Sequence, residues 1–105
     1  MNKAFELFTA IPKLHNCAQA VAAGAGNNKL VQDMSSCGGG KAPLGRCGAL
    51  HAALMLTPEN QHAALIAEFV QLAGAESCRE IKTAEQPFPC AECVRLAAEL
   101  VEKYR

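Results

Sequence analysis

Proline and glycine cut this chain into lengths that suit short helices and little else. Residues 3–9, "KAFELFT", fit a helix that stops ahead of Ile11-Pro12, because the residue before proline avoids the α region. Leu14, Cys17 and Val21 then recur at helical spacing up to the Gly24/Gly26 pair. "NNKLVQDMSS" supplies a third helix with Asn27 or Asn28 as N-cap, broken at Gly38-Gly39-Gly40. In "LGRCGALHAALML" Cys47, Leu50 and Leu54 share a face, with His51 one turn after Cys47. Thr57-Pro58 reads as a hydroxyl N-cap and a first helical residue. The helix it opens carries Leu65, Phe69 and Leu72 as a buried stripe and stops at Gly74. A shorter turn, "SCREIK", follows. Pro89 opens a last helix with Cys90, Val94, Ala97 and Val101 on one face, and Lys103 and Arg105 suited to its C-terminal dipole. No stretch alternates as a strand does. The sequence predicts an all-α fold, a compact bundle of four to five short helices forming a single domain over residues 1–105.

A chain of 105 residues buries roughly two-thirds of the surface its unfolded form exposes. Here much of that surface belongs to alanine, with aromatics at 5% and no tryptophan, so each buried side chain contributes little. Such a core leans on a bound metal, a disulfide or a second subunit, and its Ala-rich faces suit a homodimer. Ten basic residues balance ten acidic ones, which argues against a nucleic-acid partner drawn by surplus positive charge. No apolar run reaches the 18 or so residues of a membrane span, and Glu6 interrupts the only N-terminal stretch that resembles a secretory signal. The expectation is a cytoplasmic chain with no membrane partner.

Six cysteines, at 17, 37, 47, 78, 90 and 93, are the outlying feature. In a reducing compartment thiols at this density more often bind metal or cycle between redox states than form structural disulfides. Free cysteine is also a well-buried small side chain, so any single one could be inert. "SCGGGKAPLGRCGAL" is no phosphate loop: Gly40-Lys41 is followed by Ala42, position 35 is Ser, and no strand leads in. "GAGNNK" lacks the third glycine of a dinucleotide fingerprint. Only one Cys-x-x-Cys pair exists, Cys90/Cys93. It could join Cys78, His51 or His62 around zinc. It could equally act as a thiol pair, since a cysteine at a helix start has a lowered pKa. Neither ferredoxin spacing is present. His15 and His51 lie close in sequence to Cys17 and Cys47 as candidate bases or ligands.

Five blocks in fixed order carry a wider likeness: "NCAQAV" at 16–21, "GGG" at 38–40, "CGALHA" at 47–52, "FVQLAGAESCREI" at 69–81 and "CAECVRLAAEL" at 90–100. Together they resemble the small bacterial and archaeal family named C_GCAxxG_C_C, described as redox-active. The resemblance runs from about residue 14 onward. By position, the family's four shared cysteines look like Cys17, Cys47, Cys78 and Cys90. This chain departs from the pattern at Ala52, where the motif ends in glycine, and in its additional Cys37 and Cys93. The resemblance implies that Cys17, Cys47, Cys78 and Cys90 converge as thiolate ligands of an iron–sulfur cluster, of the [2Fe–2S] type, serving electron transfer to a redox partner protein.

Two further readings stand beside it. One is metal-free thiol chemistry, with Cys90 or Cys47 attacking and Cys37 or Cys93 resolving. The other is a structural zinc site or a helical interaction module. In all of them the glycine turn delivers Cys47 to a helix start, where the dipole and Arg46 favour a thiolate. The chain reads as an electron carrier or redox module more than as an enzyme with turnover.

Overall fold

A computed structural model describes residues 3–10, 15–35, 45–84 and 88–104, the side chain of Cys78 excepted. Seven α-helices occur among them: α1 (Lys3–Thr9), α2 (Cys17–Gly24), α3 (Asn28–Asp33), α4 (Gly48–Met55), α5 (His62–Ala73), α6 (Cys78–Thr83) and α7 (Cys90–Tyr104), with a 3-10 turn at Glu59–Gln61. The fold is all-α, as the sequence predicts, though divided more finely than four to five helices. The radius of gyration, 12.1 Å, is close to the ~13 Å expected of a folded chain this long.

Local chemistry sets most of the boundaries. The second helix starts at Cys17 rather than Leu14, because Asn16 caps it. The Asn16 side chain accepts from the Gln19 N–H at 2.7 Å, and the Gln19 side chain accepts from the Asn16 N–H at 3.1 Å. This reciprocal pair satisfies two donors that would otherwise lack partners. The same residues hold α3 against α2: Asn16 Nδ2 donates to the Met34 carbonyl and Gln19 Nε2 to the Val31 carbonyl, both at 3.1 Å. Asn27 caps α3, its side chain accepting from the Leu30 N–H. Gly74 ends α5 with φ at 100°, a left-handed residue that a side chain would strain.

Two expectations fail here. Thr57 does not cap the fifth helix: its hydroxyl donates back to the Ala53 carbonyl at 3.0 Å. Pro58 is extended, and the 3-10 turn intervenes before α5 begins at His62. The stripe of α5 also narrows. Leu65 and Phe69 are fully buried and Ala73 continues their face, whereas Leu72 is 57% exposed beside it.

The core is assembled around α2, α4 and α7, which pack on one another. Phe69, Leu50, Leu65, Ile81, Val21, Val94 and Val101 are its largest fully buried side chains. Between them lie Ala18, Ala20, Ala49, Ala52, Ala53 and Ala97, all buried within the chain. Small residues let helix backbones approach closely, so the alanines that look featureless in sequence set the spacing of the bundle. One such close approach is at Gly24, where an added Cβ would lie 2.8 Å from the backbone nitrogen of Ala4. Among the described residues no helix is long and apolar enough to cross a membrane.

Candidate functional site

Several helix starts point toward one region of the bundle. Cys17 is the first residue of α2, Cys47 is the N-cap of α4, Cys90 is the first residue of α7 and Cys93 lies in its first turn. The start of α4 is held in place from outside. The Cys47 N–H donates to the Glu76 carbonyl at 2.7 Å, Arg46 and Ser77 form an isolated β-bridge, and Arg46 pairs with Glu76 at 3.5 Å. Ser77 in turn caps α6, accepting from the Glu80 N–H at 3.0 Å. The start of α7 is fixed by the Pro89 carbonyl, which accepts from the N–H groups of Glu92 and Cys93.

These constraints bring Cys17, Cys47, Cys90 and Cys93 to the wall of one small cavity, completed by Ile81, Lys82 and Phe88. Its volume is about 20 Å³, room for roughly one water-sized body. Cys47 and Cys93 are 5% and 3% exposed, whereas Cys17 and Cys90 are half-buried. None of the four is in a disulfide.

Cys47 and Cys93 line the same cavity, and their side-chain hydrogen bond is the largest influence on the proton affinity of each. The Cys93 thiol donates to Cys47, and that bond is the main cause that draws Cys47 down from the ordinary 9.0 to about 7. Burial opposes the shift. The backbone N–H groups of Leu50 and Ala49, at the open end of α4, and the charge of Lys82 reinforce it. Cys93 moves the other way. Its bond to Cys47, its burial and the neighbouring sulfurs of Cys47, Cys90 and Cys17 all push its pKa up. One sulfur is thus poised as a thiolate and its partner is held as a thiol.

Of the four ligands expected from the resemblance, Cys17, Cys47 and Cys90 share the cavity. Cys78 begins α6, two of whose later residues line the wall, but its side chain lies outside the described residues. Cys37 is also outside them. Cys93, expected only as a resolving thiol, sits among the other three sulfurs. Among the described residues no three Cys, His, Asp or Glu side chains gather closely enough to hold a metal ion.

The histidines take no part in this wall. His62 is engaged with the Thr57 carbonyl at 3.1 Å. Burial, and then the charge of Arg46, lower the pKa of His51. Arg46 was the expected cation beside Cys47. Lys82 fills that role, while Arg46 pairs with Glu76. Lys82, Ile81 and Phe88 carried no signal in the sequence. Cys93 carried one: it stands four residues before Ala97 on the face that α7 buries.

No protein-family model, curated protein or solved structure matches the chain. The fold and the cavity define a helical protein with a buried four-cysteine site.

Proposed function

We propose that this chain is a small thiol redox protein whose working couple is Cys47 and Cys93. The observation that carries the reading is the hydrogen bond between these two buried sulfurs. A thiolate near neutral pH is the nucleophilic form, and a thiol already in contact with it is placed to become its disulfide partner. Oxidation of the Cys47 thiolate and Cys93 thiol removes two electrons and the Cys93 proton and joins the sulfurs. Reduction by an external dithiol returns both.

Mild oxidation of the reduced protein is expected to remove two thiols per chain, and peptide mapping should locate the bridge between Cys47 and Cys93. Full recovery of both thiols with dithiothreitol completes the cycle. A protein in which Cys47 and Cys93 stay reduced, or bridge only to other cysteines, rules the couple out.

One observation favours a second reading. Cys17, Cys47 and Cys90 line a single cavity at three helix starts, whose partial positive charges favour anionic sulfur. An iron–sulfur centre would take these three with Cys78 or Cys93, after the walls move apart. The same anaerobic preparation separates the two: stoichiometric iron and acid-labile sulfide support the cluster, and their absence after reconstitution removes it.

A further inference from the structure

The proposed couple has a difficulty that its surroundings resolve. Cys47 and Cys93 are buried, and the cavity beside them holds about 20 Å³. A disulfide-bearing oxidant of ordinary size cannot bring a sulfur to either. Cys90 is different. It is half-buried, lines the same cavity, and stands one helical turn before Cys93 in α7.

We propose that Cys90 is the thiol that meets external disulfides, and that oxidation passes inward from Cys90 through Cys93 to Cys47. This sequence rests on the Cys47–Cys93 couple proposed above. The Cys90 thiolate attacks one sulfur of the external disulfide, forming a mixed disulfide and releasing one thiolate, which takes a proton from water. Cys93 attacks the Cys90 sulfur, and its proton goes to the departing external thiolate. That step closes Cys90–Cys93 and releases the second external thiol. The Cys47 thiolate then attacks the Cys93 sulfur, and Cys90 departs as the thiolate with which the sequence began. The external disulfide gains two electrons and becomes two thiols; Cys47 and Cys93 lose two and become one disulfide.

Geometry gives the sequence its direction. Residues three apart in a helix hold their Cβ atoms about 5–6 Å apart, whereas a disulfide needs roughly 3.5–4.5 Å. A Cys90–Cys93 bond therefore distorts the first turn of α7 and is readily attacked. Cys47 and Cys93 are already in hydrogen-bond contact. Leaving the strained first turn of α7 favours the bond between two sulfurs already in contact, so the disulfide settles in the interior and Cys90 is freed for the next encounter.

The test uses the reduced full chain with glutathione disulfide as oxidant, following the Cys47–Cys93 bridge by peptide mapping over time. Cys90→Ser is expected to slow its formation at least tenfold. Arg95→Ala, which borders the groove against α1 and not the cysteine cavity, should leave the rate within twofold. Cys93→Ser should accumulate glutathione on Cys90. The relay is overturned if Cys90→Ser forms the bridge at the wild-type rate, if Arg95→Ala is the slow variant, or if glutathione collects on Cys17 or Cys47 in Cys93→Ser. Those outcomes leave the couple intact. A wild-type chain that never forms the bridge overturns couple and relay together. Circular dichroism of each variant checks that the helices are retained.

Discussion

The groove between α1 and α7 encloses about 710 Å³ and is bordered by Lys3, Glu6, Arg95, Glu99 and Glu102, whereas the cysteine cavity encloses about 20 Å³ and is lined mainly by sulfur and hydrocarbon. In the groove, charges reach water. Arg95 is partly exposed, stacks over the Phe5 ring at 4.1 Å and pairs with Glu92 at 3.6 Å. In the cavity Cys47 and Cys93 are buried, and each alters the other's proton affinity. Solvent weakens interactions in the first place and is largely excluded from the second. Volume is therefore a poor guide to chemistry here: the larger hollow holds ordinary surface charges, and the smaller one couples two sulfurs.

The largest effect expected from breaking that coupling is on Cys47 reactivity. In Cys93→Ala the donor is lost, and the pKa of Cys47 should return toward the ordinary thiol value of 9.0 from about 7. At pH 7 the thiolate fraction then falls from about one half to about one in a hundred, roughly a 50-fold loss in alkylation rate at Cys47. At pH 10 both proteins are ionised there and the difference closes. The sign carries over to stability. Because folding lowers the pKa of Cys47, its contribution is fully present above the unfolded value of 9.0 and is lost as pH falls through about 7. Cys93 is raised, so the unfolded chain gives up a proton near pH 9 that the folded chain retains, and stability declines above that point. Alkylation of Cys47 quantified by mass spectrometry across pH 6–10 checks the profile. A curve unchanged by Cys93→Ala dissolves the distinction between the two hollows.

A second substitution asks whether the groove side matters for packing alone. Gly24 borders the groove, and a Cβ there would lie 2.8 Å from the Cβ and backbone nitrogen of Ala4. Backbone cannot yield as the tip of a side chain does, so α1 must shift. Overpacking of this kind costs about 1–3 kcal/mol, which outweighs the ~0.5–1 kcal/mol that replacing a helical glycine normally returns. Gly24→Ala should lower the urea midpoint while leaving the pH profile of Cys47 alkylation in place. A stabilised Gly24→Ala would mean that α1 rests only loosely on α2.

How far the sequence disclosed these two regions differs, and for a physical reason. Helix identity is a local property, so Asn27, Gly74 and Pro89 announced several of the boundaries, whereas the Asn16 cap that starts α2 at Cys17 was not read. Where two local signals competed, at Thr57-Pro58, the hydroxyl bonded backward to Ala53 instead of forward. The cavity depends on contacts between distant segments. That Cys17, Cys47 and Cys90 share it followed only from the order of motifs, because spacing alone holds no information about which helix starts meet. Cys93 was legible as a redox thiol but not as the sulfur among the other three. Lys82 was not legible at all, since a lysine in the last turn of a short helix ordinarily faces water. Its influence on Cys47 arises from how α6 is set against α4, which Ser77 and Glu76 fix through main-chain contacts far apart in sequence.

The smallest effect expected is at Arg95, and it bears most directly on the contrast between the hollows. Arg95 has a charge, an aromatic platform and a carboxylate partner, more interactions by number than Cys47. Number is not strength when water competes. An exposed cation–π contact is worth about 0.5–1 kcal/mol and an exposed ion pair about as little. Arg95→Ala should therefore change stability by no more than about 1 kcal/mol, measured by urea denaturation, and leave the Cys47 alkylation rate at pH 7 within twofold. Arg95 and Cys93 share α7 two residues apart, so the paired variants hold the helix constant and vary only the side of it that is altered. If Arg95→Ala shifted the titration of Cys47 as Cys93→Ala does, the two hollows would be one electrostatic system, and the acidity of Cys47 would belong to the charge of α7 as a whole instead of to the hydrogen bond at its first turn.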